Sequence, residues 1–290
     1  MICGLFGKTR QAYYSTEWRK EELTLEHAIV IELVKEIRVN MPRIGTPKLS
    51  YLLSNPLKLH NIKLGRAGLN DLLAANGMLV RQKKRKPKTT NSNHRYRRYQ
   101  NLIKDLVIIR PEQVWVCDIT YITVGDRFAY LSIITDAYSR MILGYNLCPT
   151  LESKGAINAL QMALGSWDVS SGKLIHHSDR GVQYCCDDYT SILLKTGIAI
   201  SMTQKGDPYE NAIAERVNGI LKSEFGLGSV FKSFEEAMAV VDKSIGIYNK
   251  ERPHASCDYL IPEQAHQTTG ILKRRWKNYY KPRKINESNM

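Results

Sequence analysis

Apolar residues in the first 80 positions recur at helical spacing, in segments that glycine and proline separate. The longest segment covers residues 22–38, and Pro42 is expected to end it. Thr46 is predicted to cap the next helix, and Gly77 is predicted to end a helix over residues 66–76 in a left-handed conformation. The pattern therefore predicts a small all-α region at the start of the chain.

From residue 112 the pattern changes to the alternation that is typical of strands. Three strands, separated by a Gly125-Asp126 turn and by residues 136–140, suit an antiparallel meander; they cover residues 114–124, 128–135 and 141–147. Helices and strands then alternate, with helices over residues 153–166, 187–196, 209–223 and 233–250 and strands over residues 174–179 and 198–203. This order predicts an α/β fold in which helices flank a mixed sheet.

The formal net charge of +14 is concentrated in two segments without acids, residues 81–98 with nine cations and residues 273–284 with seven. The rest of the chain is close to neutral, so these segments are interpreted as phosphate contacts, although solvated linkers remain an alternative. Candidate DNA contacts in the first segment are Arg81, Lys83, Lys84, Arg85 and Lys86. The predicted domains are a helical region at 1–80, a basic linker at 81–110, a catalytic core at 111–268 and a basic tail at 269–290.

Six cysteines without a C-x-x-C pair favour a reduced setting, and the sequence contains no membrane-spanning or targeting pattern. We therefore expect a cytoplasmic protein.

Three carboxylates lie in local sequences that could bring them together: Asp118 in a strand, Asp179 at a strand end and Glu215 in a helix. Carboxylate oxygens bind hard cations, and a pair of Mg²⁺ ions held this way can break and join phosphodiesters. On the helix, Asn211, Asn218 and Lys222 share the face of Glu215, which makes them candidate DNA contacts. The alternative is an ordinary amphipathic helix with a polar outer face.

Several motifs occur in an order that resembles one family: Trp115–Thr120, His177–Tyr184, Asn211–Glu215, Leu221–Glu224 and Tyr248–His254. Together they resemble the DDE transposases and retroviral-type integrases, and above all the OrfB product of two-frame bacterial insertion sequences. Residues 2–14, with a turn at Gly7, look like the family's amino-terminal helix-turn-helix remnant. One departure is Glu210, where the family commonly has aspartate.

The resemblance implies an RNase H-like core in which Asp118, Asp179 and Glu215 are catalytic metal ligands and Lys222 contacts the DNA end. It implies a Mg²⁺-dependent polynucleotidyl transferase, with Mn²⁺ tolerated, that cuts transposon ends and transfers them using water or a 3′-hydroxyl. A catalytically inactive DNA-binding regulator and an RNase H-like nuclease remain alternatives. Expected partners are double-stranded DNA, further copies of the chain, and an upstream-frame protein or fusion. The Gln204–Glu210 segment is predicted to close over DNA and to be mobile without it.

Overall fold

The computed structural model describes residues 10–80, 95–204 and 211–275. Its internal contacts divide the chain into two units, one formed by residues 1–86 with 222–226 and the other by residues 87–221 with 227–290. The domain boundaries that the sequence predicts stay predictions beside this division. The basic residues Arg81–Lys86 and the predicted mobile segment beyond Gln204 lie outside the described residues.

Within residues 10–80, the first unit contains four helices: α1 (Arg10–Asn40), α2 (Thr46–Leu52), α3 (Ser54–Leu59) and α4 (Arg66–Ala75). Its buried core consists of aliphatic side chains at helical spacing, including Val30, Val34, Ile44, Leu49, Leu53, Leu69 and Leu73. The predicted Gly7 turn lies outside the described residues, and residues 10–14 belong to the continuous helix α1. The all-α character predicted for this region is confirmed.

The ends of α2 and α4 test two local predictions. Thr46 is not the cap of α2, because Gly45 occupies that position without a side-chain hydrogen bond and Thr46 is the first helical residue. The Thr46 hydroxyl lies 3.3 Å from Asn70 Oδ1 instead. Gly77 has φ +66°, so the predicted left-handed residue after α4 is confirmed.

In its described residues, the second unit contains six strands and six α-helices. The strands are β1 (Val114–Val124), β2 (Arg127–Asp136), β3 (Ile142–Cys148), β4 (Ile175–Ser178), β5 (Ala199–Met202) and β6 (Val230–Phe231). The helices are α5 (Ser153–Ser166), α6 (Val182–Cys185), α7 (Asp187–Lys195), α8 (Ala212–Glu224), α9 (Phe234–Glu251) and α10 (Pro262–Ala265). Residues 222–224 at the end of α8 belong to the first unit.

The strands form one sheet in the order β3-β2-β1-β4-β5, and β6 pairs with the far end of β1. β1, β2 and β3 are antiparallel neighbours, whereas β4 and β5 run parallel to β1. The predicted Gly125-Asp126 turn joins β1 to β2, since Val124 pairs with Arg127 and Gly125 has φ +57°. The predicted mixed sheet flanked by helices, an RNase H-like arrangement, is confirmed.

Alternate residues of β1 face two different layers. Trp115 and Cys117 join a large buried cluster with residues of α5 and α7, whereas Val114 and Val116 pack with Ala214 of α8. Asp118 has the parity of Val114 and Val116, so it lies on the side of the sheet that α8 covers.

One glycine allows α5 to lie directly on β3. A Cβ added to Gly144 would be 2.1 Å from the carbonyl oxygen of Ala159 and 2.9 Å from the backbone nitrogen of Ala163. Because both neighbours are backbone atoms, neither can move away without displacing α5.

Residues 95–110, which the sequence assigns to the linker, pack against the second unit. Tyr96 and Tyr99 contact its large apolar cluster, and the Leu102 N–H donates to Ser201 Oγ at 2.9 Å. No helix among the residues that the structure describes is long and apolar enough to cross a membrane.

Candidate active site

Asp118 lies on β1, and Asp179 directly follows β4, the parallel neighbour of β1. Val114 pairs with Ile175 and Val116 pairs with His177, and the same offset carried two residues further sets Asp118 opposite Asp179, just beyond the end of β4. Adjacent strands are about 4.8 Å apart, so the register brings these two carboxylates together. Asp118 is buried, with 6% of its surface exposed.

A neutral donor holds one oxygen of each aspartate. Asn218 Nδ2 donates to Asp118 Oδ2 at 2.9 Å, and the Gly181 N–H donates to Asp179 Oδ1 at 2.9 Å. These hydrogen bonds restrict how each carboxylate can turn, which is how residues around a metal site orient its ligands.

The polar face of α8 points to the sheet. Asn211 and Asn218 are 4% and 5% exposed, and Asn211 Nδ2 donates to the Cys117 carbonyl of β1 at 2.9 Å. Glu215 lies between them, four residues after Asn211 and three before Asn218, so helical geometry directs it to the same side. An amphipathic helix with its polar face in solvent, the alternative from the sequence, is therefore wrong for this part of α8.

The two asparagines have their amide donors engaged inside the protein, and their predicted contact with DNA stays untested. Lys222, seven residues after Glu215 on α8, lies in the part of the helix that belongs to the first unit. Its predicted contact with a DNA end also stays a prediction.

The chemistry of the donors fits a hard cation, although the three acids do not form a closed cluster. In residues 10–80, 95–204 and 211–275, no three histidine, cysteine, aspartate or glutamate side chains are grouped closely enough to hold an ion together. Asn218 Oδ1 is buried and has no hydrogen-bond partner among those residues, although its amide nitrogen binds Asp118. A buried oxygen acceptor beside carboxylates suits Mg²⁺, whose ligands are oxygens and ordered water.

On the opposite face of β1, Cys117, His176 and Tyr189 form a buried network. His176 Nε2 lies 2.8 Å from both Cys117 Sγ and Tyr189 Oη. Burial, followed by the charge of His177, lowers the pKa of His176 to about 3, and burial raises the pKa of the Cys117 thiol well above its usual range. The imidazole and the thiol are therefore neutral at pH 7.

The Tyr248–His254 motif supports the turn between β2 and β3. Tyr248 Oη donates to the Arg140 carbonyl at 3.0 Å, while Asn249 bonds both the N–H and the carbonyl of Ile142 at 3.0 and 2.9 Å. Arg252 is buried and lies beside His254 and the Tyr248 ring. These contacts stabilise the turn between β2 and β3, so the motif has a structural role.

Three hydrogen bonds of the site were not predicted from the sequence: Asn218 to Asp118, Gly181 to Asp179, and Asn211 to the Cys117 carbonyl. The helical spacing of the asparagines around Glu215 was the available signal, but it could not tell an inward face from an outward one.

The sheet order, with Asp118 on β1, Asp179 just beyond the parallel strand β4 and Glu215 on the covering helix α8, is the arrangement expected of an RNase H-like polynucleotidyl transferase. Two models of the family described as Integrase core domain match the chain, over residues 109–208 and residues 196–262.

Full-length relatives identify the family more closely. The chain is 34% identical over 272 residues to the Insertion element IS600 uncharacterized 31 kDa protein of Shigella sonnei, covering 92% of this chain and 99% of that protein. It is 30% identical over 271 residues to the Transposase InsF for insertion sequence IS3A of Escherichia coli strain K12, covering 91% and 92%. The chain belongs to the integrase-core transposases of bacterial insertion sequences.

Solved structures with similar chains include the HTLV-2 integrase catalytic core domain in complex with magnesium, at 17% identity and a TM-score of 0.43, covering 54% of this chain and 97% of that one. A chain of the simian T-cell lymphotropic virus intasome matches at 16% identity and a TM-score of 0.48, covering 82% and 76%.

Proposed function

We propose that this transposase cuts DNA at the ends of its insertion sequence and joins the resulting 3′-hydroxyls to target DNA, with Asp118, Asp179 and Glu215 as the metal ligands. The observation that carries the assignment is the hydrogen bond from Asn218 to Asp118, 2.9 Å long, from the helix that also bears Glu215. The register between β1 and β4 supports the pairing of Asp118 with Asp179.

Magnesium, as a pair of ions, would supply the Lewis acid that activates the attacking oxygen and stabilises the leaving one. The residues of the chain orient the ligands: Asn218 fixes Asp118, and the Gly181 amide fixes Asp179. Mn²⁺, also bound by carboxylate oxygens, is expected to substitute.

No covalent bond between enzyme and DNA is needed. The Tyr184 ring is buried, and burial raises the pKa of its hydroxyl well above the usual range. Tyr248 is fully buried, and its hydroxyl donates a hydrogen bond to the Arg140 carbonyl. Neither tyrosine is suited to attack a phosphate, which supports direct displacement by water or a 3′-hydroxyl.

DNA binding is assigned to cations. Lys222 and the basic residues Arg81, Lys83, Lys84, Arg85 and Lys86 are proposed to contact phosphates, as expected for a chain of charge +14. Joining two ends needs two active sites, so the working form is proposed to be a homo-oligomer on double-stranded DNA, with an upstream-frame protein or fusion as a further partner. We also propose that it acts in the cytoplasm.

The test is incubation of the purified protein with labelled end DNA and a plasmid target, with and without Mg²⁺. The wild-type protein is expected to yield nicked and joined products only with the metal. Asp118→Asn, Asp179→Asn and Glu215→Gln are each expected to abolish both products while end binding persists.

Asp168→Asn, which removes an exposed aspartate on a surface turn, is the charge-matched control and should keep full activity. Cleavage without any joining of a pre-cut 3′-hydroxyl end would identify a nuclease. Binding without cleavage by the wild-type protein would identify a regulator.

A further inference from the structure

We propose that Asn211 is a positioning residue that fixes the first turn of α8 on β1 and so holds Glu215 in register with Asp118. The inference rests on the proposed function, because it concerns how that function's metal ligands are aligned. It gives Asn211 a role different from the DNA contact that the sequence predicts.

Two hydrogen bonds connect the backbone of Glu215 with the peptide group of Asp118. The Glu215 N–H donates to the Asn211 carbonyl at 3.1 Å, and Asn211 Nδ2 donates to the Cys117 carbonyl at 2.9 Å. That carbonyl belongs to the peptide bond whose nitrogen is that of Asp118. A single side chain therefore bridges the elements that carry two of the three acids.

Asn211 does not use its side chain as an asparagine at a helix start normally does. It precedes the first residue of α8 and its carbonyl accepts the first helical hydrogen bond, which is the capping position. A capping asparagine presents its side-chain oxygen to an amide of the first turn. Here Oδ1 is buried without a partner among the described residues, and the amide nitrogen is turned to the sheet.

The site of attachment on β1 is also informative. The paired register of β1 with β4 runs through Val116 and His177, and Asn211 binds the carbonyl of the next residue, Cys117. Asn211 therefore attaches α8 to β1 at Cys117, between the last residue of β1 that pairs with β4, Val116, and Asp118. The burial of Asn211 leaves only 4% of its surface for any contact with DNA.

The test compares two substitutions of Asn211. Asn211→Leu keeps the branching and the number of side-chain heavy atoms and removes the donor, whereas Asn211→Gln keeps an amide donor on a longer stem. Losing the partner that orients a metal ligand typically costs about 10–100-fold in metal affinity or activity. We therefore expect Asn211→Leu to weaken Mn²⁺ binding, measured by calorimetry without DNA, by about tenfold or more, and Asn211→Gln to recover part of that loss.

A second readout needs neither metal nor activity. Hydrogen exchange in the metal-free protein should accelerate in the first turn of α8 in Asn211→Leu, and the apparent affinity for end DNA should stay at the wild-type value. The matched control is Asn249→Leu, which removes another asparagine that bonds strand backbone, on α9. It should lower the melting temperature and leave Mn²⁺ affinity unchanged.

Weakened DNA binding with unchanged Mn²⁺ affinity in Asn211→Leu would overturn the proposal in favour of a DNA contact. Equal effects of Asn211→Leu and Asn249→Leu on Mn²⁺ affinity would overturn it in favour of a general structural role. If the wild-type protein binds Mn²⁺ but joins no DNA, the proposed function fails while the measurements on Asn211 keep their meaning.

Discussion

Replacing Asn218 by leucine removes a hydrogen bond that links α8 to Asp118, one of the three proposed metal ligands. The bond joins Asn218 Nδ2 to Asp118 Oδ2 over 2.9 Å, and both side chains are about 95% buried. Leucine has the branching and the number of side-chain heavy atoms of asparagine, so the change removes the donor and leaves no cavity.

A hydrogen bond to a charged group contributes about 1.5–3 kcal/mol, and little of this is lost to solvent screening because the pair is buried. Asn218→Leu should therefore lower the unfolding free energy of the metal-free protein by about that amount. Cleavage of end DNA at saturating Mg²⁺ should fall about 10–100-fold, since Asp118 loses the group that orients it. Asn218→Asp should be less stable still at pH 8, because it sets a second carboxylate beside Asp118.

The assays are urea unfolding at pH 8 and pH 5 and single-turnover cleavage of end DNA. The excess destabilisation of Asn218→Asp over Asn218→Leu should shrink at pH 5 and on addition of Mg²⁺, because a proton or a dication relieves the repulsion. If Asn218→Leu unfolds and cleaves like the wild type, the hydrogen bond does not orient Asp118. The same conclusion follows if the stability of Asn218→Asp changes with neither pH nor Mg²⁺.

Three further predictions concern packing, pH and DNA. Gly144→Ala should destabilise the protein by about 1–3 kcal/mol or more in urea unfolding, since the added Cβ would meet the Ala159 carbonyl at 2.1 Å; an unchanged midpoint would contradict this contact. Burial lowers the pKa of His176 to about 3 in the folded protein, from 6.5 for an ordinary histidine. The stability linked to its neutral imidazole is therefore complete above pH 6.5 and is lost as pH falls toward 3, by at most about 1.4 kcal/mol per pH unit. His176→Gln should flatten the measured dependence of stability on pH, and an identical slope would contradict this. Lys222→Ala should weaken binding of end DNA and reduce the slope of log affinity against log salt by about one. The control Lys243→Ala, on the exposed side of α9, should change neither quantity. Equal slopes for the wild type and both variants would show that Lys222 does not contact DNA.

The strands and most helices could be predicted because their signals are local. Alternation over 11 residues and a Gly-Asp turn define β1 and its hairpin, and α5 has the bounds that periodicity predicts, residues 153–166. The short elements α3, α6 and β6 were missed, since two to six residues carry too little periodicity. Thr46 was misassigned because the preceding Gly45 adopts the extended conformation of a cap without offering a side chain.

The elements that carry the three acids could be predicted from the sequence, but the hydrogen bonds around them could not, and the role of the acids as metal ligands stays a prediction. Asp118 lies within one predicted strand and Asp179 at the end of another, whereas the hydrogen bonds of Asn211 and Asn218 join residues 94 and 100 positions apart in the sequence. Such contacts depend on which face of α8 the sheet covers, and Ala214 packing with Val114 and Val116 decides this in three dimensions. Polar residues on a helix look alike in sequence whether they face water or a buried carboxylate.

The most direct measurement is anomalous diffraction from crystals of the protein grown with Mn²⁺ and end DNA. We expect anomalous peaks from manganese ions that are bound by carboxylate oxygens of Asp118, Asp179 and Glu215, with the scissile phosphate beside them. Manganese bound elsewhere, with any of these three carboxylates turned away from it, would contradict the proposal that the three acids are the metal ligands.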